Sequence, residues 1–313
     1  MHHEPIFSIF GMDVYLYGIC IAIGLIGCFG FLVFAMWKQK FNEASSDAVI
    51  FIGIFATAFG FLIAAVFQAT YNYIDDPSKG FDLGGGITFI GGLIGGVAGF
   101  LGVWNLYVYV IRPKTKIKWL KAEMNAGLCD ALPFIPIGIT IAHALGRFGC
   151  FWAGCCYGKQ TDAWYGLPCA AGKAGNYIPL QLFEMAFLIV LTLVMALLYF
   201  KFKLNYNFAV YSISYGIWRF AIEYLRADDR GGFIPGLSPS QFWSILMVIV
   251  GVGYVFMQIY VFSKLMKHPE LQQRKAETDA ADGAAAEIGE TEISADINVG
   301  ADGNSQTGTD GEE

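Results

Sequence analysis

The sequence predicts an all-α, polytopic integral membrane protein, and three observations carry that prediction. Of its 313 residues, 56% are hydrophobic and only 15% charged, whereas about a quarter of a soluble chain is charged. The charges are bunched, so long apolar runs stand free of them. Those runs have the length, about 20 residues, at which a helix crosses the hydrocarbon core of a bilayer. Lipid offers the backbone no hydrogen-bond partner, so each run must satisfy its own amides as a helix.

Seven runs fit: Val14–Met36, Ala48–Tyr71, Ile87–Ile111, Gly127–Leu145, Pro179–Phe200, Phe208–Leu225 and Phe242–Phe262. The fourth and sixth are short and carry polar residues. The first is too long, and too poorly flanked by basic residues, for a cleaved signal peptide, so it is expected to stay. The third begins in glycines, Gly84-Gly85-Gly86, and continues through Gly91, Gly92, Gly95, Gly96 and Gly99. Small residues four apart let helices approach closely. The bare amides of Gly84 to Gly86 are also suited to face a phosphate at a helix start.

Charge divides the chain and orients it. Of the 26 acids, eleven lie beyond Lys275, where no Lys or Arg follows, leaving 15 against 20 bases in the rest. That tail has no aromatic residue and cannot bury enough apolar surface to order itself. The expected division is a membrane domain over 1–265 and an acidic disordered cytoplasmic tail over 266–313. Lys38, Lys40, the five bases from Arg112 to Lys121, Lys201, Lys203, Lys264, Lys267, Arg274 and Lys275 would share one face. Lys79, Arg147, Lys159, Lys173, Arg226 and Arg230 would share the other. Thirteen against six places the N-terminus outside and the C-terminus in the cytoplasm, because Lys and Arg gather on the cytoplasmic side. The bases are dispersed over membrane loops, and no nucleic-acid partner is expected.

Two segments carry charge where anchors do not. In His143-Ala144-Leu145-Gly146-Arg147-Phe148-Gly149, an arginine sits at the expected outer end of the fourth run, among glycines and aromatics. Its planar fork suits a phosphate, although a snorkelling interfacial arginine gives the same pattern. His143, one turn earlier, shares its face and is a candidate proton acceptor. In Tyr215-Gly216-Ile217-Trp218-Arg219 through Glu223 to Arg226, the spacing stacks Arg, Glu and Arg on one face of the sixth run. An ionised side chain at mid-bilayer costs about 2.5–3.5 kcal/mol on insertion scales, so such residues are usually functional. Two cations to one anion leave a positive excess for an anionic ligand. Glu184 and Asp130 are candidate counter-ions for these arginines.

Taken in order, these segments resemble the prolipoprotein diacylglyceryl transferase family. The matches run from Tyr17-Gly18 through Gly91-Gly92-Leu93-Ile94-Gly95, Asp130, Gly146-Arg147-Phe148-Gly149 and Tyr157-Gly158. They continue with Pro179-Leu180-Gln181-Leu182-Phe183-Glu184, Tyr215 to Arg226, Leu237-Ser238 and Gln241. The resemblance spans about residues 10 to 262. It implies a multi-pass enzyme of the bacterial cell membrane that needs no cofactor. Such an enzyme moves a diacylglyceryl group from phosphatidylglycerol to the lipobox cysteine of a prolipoprotein signal peptide. A thioether forms and glycerol phosphate leaves, with membrane lipids as surroundings. It further implies Arg147 and Arg219 on the phosphate, with Arg226 and Glu223 at the outer mouth. Tyr17, Gly158, Gln181, Gly91 and Gly92 would line the substrate site.

The chain departs from the family where a thiol proton would be taken. Ile90 replaces a usual His, Cys150 a usual Asn, and Ala153 and Cys155 a later Asn and Glu. His143, with Tyr17 behind it, is the substitute expected as the catalytic base. Cys20, Cys28 and Cys129 lie in apolar runs and behave as small hydrophobes. Cys150, Cys155, Cys156 and Cys169 lie in or beside an outer loop, where packing or a disulfide is expected. C-x4-C-C is not a standard zinc spacing, so no metal is expected. Three other readings compete: a divergent paralogue with another thiol acceptor, a lipid or organic-anion transporter, and a non-catalytic membrane scaffold. A transporter would more naturally show internal helix repeats, and none is visible.

Overall fold

A computed structural model describes residues 5–9, 12–84, 86, 88–227 and 237–267. Gly85, Arg230 and all of the acidic tail beyond 267 lie outside the described residues. The residues described up to Tyr254 form one compact unit, and those from Val255 to Lys267 belong to a second. The fold is helical, preceded by a short antiparallel hairpin of β1 (Phe7–Ile9) and β2 (Met12–Val14).

Each apolar run becomes a helix. These are α1 (Leu16–Lys38), α2 (Glu43–Asp75), α3 (Phe89–Leu106), α4 (Ile135–Trp152), α5 (Leu180–Phe200), α6 (Asn207–Ile222) and α7 (Pro239–Lys267). Local chemistry sets their ends. Asn42 caps α2, its side-chain oxygen accepting the Ser45 amide at 2.9 Å, which satisfies one of the orphan donors of a helix start. Pro136 stands in the first turn of α4 and Pro179 caps α5, positions where a missing amide hydrogen costs nothing. α3 runs on through a π-helical stretch, Tyr107–Ile111, to a last turn at Arg112–Lys114.

Five helical stretches are long and apolar enough to cross a membrane: Leu16–Lys38, Glu43–Ile74, Ile94–Lys114, Leu180–Phe200 and Pro239–Tyr260. The protein is therefore a multi-pass membrane protein. α4 and α6, the two short polar runs of the sequence, fall outside that set. α4 starts only at Ile135, after a separate turn at Leu128–Ala131, and runs past the expected end at Leu145 to Trp152. Arg147 consequently sits within a helix and not at its end. Large apolar side chains such as Ile26, Leu193 and Ile249 are exposed on the outer faces, as lipid contact requires.

Glycines let the helices approach closely at two of their seams. α2 and α3 form a helical hairpin in which a Cβ on Gly95 would stand 2.5 Å from Ile63 Cβ, and one on Gly99 2.8 Å from Phe59 Cδ1. α1 lies along α4, where a Cβ on Gly24 would meet the Ala142 carbonyl at 3.1 Å. α4 also packs on α5 and α6. The buried core collects Met36, Phe134, Ile137 and Met195 where these helices meet. This places one long face of α4, with His143 and Arg147, against α5 and α6.

Candidate active site

Three helices each contribute one part of a buried polar cluster. Arg147 from α4 forms an ion pair with Glu184 from α5, Nη2 to Oε1 3.0 Å. Tyr215 from α6 closes the triangle: its hydroxyl donates to Glu184 Oε1 at 2.7 Å and accepts from Arg147 Nη2 at 3.3 Å. Tyr211, one turn earlier, stacks parallel on Tyr215, and its hydroxyl lies 3.3 Å from His143 Nδ1. His143 packs edge-on against Tyr215, with ring centroids 4.8 Å apart. Its Nε2 is buried and has no hydrogen-bond partner among the described residues.

A buried guanidinium is tolerable only with a counter-charge and hydrogen bonds. Here the same groups fix its direction. Glu184, 2% exposed, neutralises Arg147, and Tyr215 removes one of the rotations left to the pair.

The second cluster lies at the other end of the same stripe of α6. Tyr211, Tyr215, Arg219 and Glu223 follow at intervals of four, so they stand one above another. Arg219 Nη1 lies 2.9 Å from Glu223 Oε2, and its Nη2 donates to Ser240 Oγ at 2.7 Å. Arg226 Nε lies 3.8 Å from the same Glu223 oxygen, while Ser238 Oγ donates to Glu223 Oε1 at 3.0 Å. Gln241 accepts the Ser238 amide and donates its own to Ser238 Oγ, so the start of α7 is tied to the acid. His143 lies within electrostatic reach of both Arg147 and Arg219, so the two clusters form one field. Among the described residues they bring the guanidinium groups of Arg147, Arg219 and Arg226 together with the carboxylates of Glu184 and Glu223.

The chain after α4 folds back over this site. Gly158 donates its amide to the Ile178 carbonyl at 2.8 Å and bridges to Arg226. A side chain there would strike Ile178 Cβ and the Leu225 carbonyl, each at 2.8 Å, so only glycine lets the three strands of chain meet. Gln181, 1% exposed, gives its amide hydrogen to the Cys155 carbonyl. Tyr17 rests on Gly149, where a Cβ would come 3.0 Å from its ring. It stands in the field of Cys150, Cys155, Cys156 and Arg147.

The structure thus unites His143, Arg147, Arg219, Glu223 and Arg226, with Gly158 and Gln181 supporting the covering loop. Gly91 and Gly92 belong to the α2–α3 seam, against Ala64 and Gly60. Asp130 is taken by the Gly127 amide, which donates to its Oδ2 at 2.7 Å, and Glu184 is the counter-ion of Arg147. Cys169, fully buried beside Tyr177, donates its thiol to the Tyr177 carbonyl at 3.6 Å and forms no disulfide. Tyr211 and Ser240 were not singled out from the sequence, and Tyr215 and Ser238 figured only within matching segments, with no role assigned. The four-residue interval along α6 would have identified the two tyrosines; the serines reach the site only by tertiary folding.

Residues 4–257 match the family model described as prolipoprotein diacylglyceryl transferase. The chain is 31% identical over 259 residues to the phosphatidylglycerol–prolipoprotein diacylglyceryl transferase of Clostridium tetani, covering 80% of this chain and 95% of that protein. It is 32% identical over 252 residues to the second such enzyme of Clostridium perfringens, covering 78% and 91%. The enzyme of that name from Finegoldia magna is 32% identical over 274 residues, covering 84% and 98%. No solved structure matches.

Proposed function

Because the chain belongs to the prolipoprotein diacylglyceryl transferase family, we propose that it transfers a diacylglyceryl group from phosphatidylglycerol to the lipobox cysteine thiol of prolipoproteins. A thioether forms and glycerol phosphate is released. The chain is an enzyme of lipoprotein biosynthesis, and its substrates meet in the bacterial cell membrane.

The observation that carries the mechanism is that two guanidinium groups, Arg147 and Arg219, are each held by a carboxylate and a hydroxyl, Glu184 with Tyr215 and Glu223 with Ser240. Phosphatidylglycerol brings one negative charge, and the departing glycerol phosphate gains a second. Fixed donors aimed at charge that grows during reaction stabilise the transition state more than the ground state. Arg147, held by Glu184 and Tyr215, presents its remaining N–H groups to the phosphate. Arg219 adds a second fork from α6, and Arg226 with Glu223 guards the approach. His143 and Tyr17 are the protein groups placed to handle the thiol proton.

In this proposal all seven helices cross the bilayer, with the N-terminus outside and the C-terminus in the cytoplasm. The excess of Lys and Arg on the loops of one face supports that orientation. The test is direct. Purified protein in phosphatidylglycerol vesicles, given a lipobox peptide, should yield peptide with a thioether-linked diacylglyceryl group, detected by mass. A peptide with Ser for the lipobox Cys, or vesicles of phosphatidylcholine alone, should yield none. Unmodified cysteine peptide in phosphatidylglycerol vesicles would overturn the assignment.

A further inference from the structure

Cys150 lies three residues after Arg147 on α4, hence on the same face one turn on. Beyond Trp152 the chain reverses sharply. Gly154 has φ 64° and Cys156 has φ 62°, both in the left-handed region that a side chain normally avoids. The Cys155 amide donates back to the Cys150 carbonyl at 3.2 Å, and the Gly154 amide to Phe151 at 3.1 Å. From the opposite side Gln181 holds the Cys155 carbonyl. The result is that the sulfurs of Cys150, Cys155 and Cys156 all lie within 4.8 Å of one another. Two are half-buried and Cys155 is exposed.

We propose that Cys150, Cys155 and Cys156 hold a zinc-class cation through three thiolates and leave its fourth position to the acceptor thiol. The inference rests on the transferase reading given above. Zinc–sulfur bonds of about 2.3 Å at tetrahedral angles hold sulfurs about 3.8 Å apart, which the turn reaches by a contraction of about an ångström or less. The turn does the work that a standard ligand spacing does elsewhere. Three thiolates on a dication leave one negative charge. Arg147 lies in the field of Cys150 and Cys156, and Arg226 in that of Cys156. The cluster therefore sits where a net negative centre is stabilised.

Structural zinc sites are closed by four protein ligands, and catalytic ones keep one position open. Among the described residues this cluster offers three sulfurs. The reaction supplies the fourth. A thiol bound at such a centre would give up its proton outright, through His143 and Tyr17 to the solvent at the exposed edge beside Cys155. The sulfur then uses its lone pair to form a C–S bond at the terminal glyceryl carbon. The bond from that carbon to the phosphate oxygen breaks, and its electron pair leaves with glycerol phosphate. No electron is gained or lost overall. The neutral thioether is a weaker ligand than the thiolate and departs. In this reading the thiol is activated by coordination.

The test begins with metal and not with activity. Full-length protein purified in detergent under reducing conditions should carry about one zinc per chain. Replacement by cobalt(II) should give the intense sulfur-to-metal absorption of a thiolate site. Cys150→Ser, Cys155→Ser and Cys156→Ser should each lower retained zinc by about tenfold or more, while Cys129→Ser and Cys169→Ser keep it. Adding a lipobox peptide to the cobalt protein should shift its visible spectrum, and the same peptide with Ser for Cys should not. Folded wild-type protein that binds neither zinc nor cobalt, or a disulfide among the three cysteines as isolated, overturns the site. A metal spectrum indifferent to the peptide overturns the role of the open position. Diacylglyceryl transfer by metal-free protein refutes the inference and leaves the transferase reading intact. Metal binding without transfer by wild-type protein refutes the transferase reading and, with it, the role of the metal in that reaction.

Discussion

Arg147 on α4 and Glu184 on α5 meet at 3.0 Å, and Tyr215 on α6 touches both. The pair is a packing element and a chemical device at once. Removing its negative member leaves a buried guanidinium uncompensated, at a cost of about 3–5 kcal/mol. Glu184→Leu is therefore expected to lower the melting temperature in detergent sharply. Arg147→Lys keeps the charge but loses the planar fork. It should stay folded and lose about 10²–10³ in kcat, the usual effect of deleting one donor to a developing oxyanion. Melting curves and steady-state rates on the same preparations separate the two outcomes.

Tyr215→Phe tests whether orientation matters beyond charge. The hydroxyl bonds both members of the ion pair, and bonds to charged groups contribute about 1.5–3 kcal/mol. The ring, stacked on Tyr211 and His143, remains. Turnover should fall by about tenfold to a hundredfold while phosphatidylglycerol still binds. An unchanged kcat would mean that Glu184 alone orients Arg147.

Glu223 serves two arginines and receives the Ser238 hydroxyl. Glu223→Gln should remove one counter-charge of Arg226 and loosen the start of α7, while Arg219 keeps its bond to Ser240. The expected signature is a raised KM for phosphatidylglycerol with a smaller change in kcat, because the loss falls on binding and not on the breaking bond. A fall in kcat with KM unchanged would place Glu223 in the chemical step.

The helices were legible in the sequence because lipid imposes one rule on every apolar run. The run over Pro179–Phe200 became α5 almost residue for residue. What the apolar run did not show was the end of α4: the run stops at Leu145, yet the helix continues through Gly146 and Gly149 to Trp152. A Cβ on Gly149 would meet Tyr17 and Cys20, so that glycine answers to the neighbour α1 and not to local geometry. Arg147, Arg219, Glu223 and Arg226 stood out as charges in apolar surroundings. Tyr215 figured only as the start of its segment, because a tyrosine in a membrane helix has no evident role until the fold sets a carboxylate against it. The thiol cluster was hidden for a similar reason. Its sulfurs converge through two left-handed residues, and C-x4-C-C as a spacing says nothing of that turn.

Gly158 offers a prediction about the covering loop. A Cβ there would strike the Leu225 carbonyl and Ile178 Cβ, and overpacking of this kind costs about 1–3 kcal/mol. Gly158→Ala should push the Gly158–Arg226 bridge apart and lower activity more than stability, since the strain falls on a loop and not on the helix core. Proteolysis near Lys159 and Lys173 should quicken alongside the loss of turnover. Wild-type protection of those sites in an inactive variant would count against this account.

The glycines of α3 separate packing from chemistry within a single helix. A Cβ on Gly95 would come 2.5 Å from Ile63 Cβ on α2, whereas one on Gly102 would meet nothing within 4 Å. Glycine in a helix interior weakens it by roughly 0.5–1 kcal/mol relative to alanine. Gly102→Ala should therefore raise the melting temperature slightly. Gly95→Ala gains the same local term but must part α2 from α3, and close approach is what drives association where lipid removes the hydrophobic contrast. A net loss of about 1–3 kcal/mol is expected, relieved when Ile63→Ala accompanies it. Both variants should keep KM for phosphatidylglycerol, since Gly95 faces the packing side chain of Ile63 and Gly102 faces open space. A Gly95→Ala protein of wild-type stability whose KM rises several-fold would move the stripe from the seam to the substrate site.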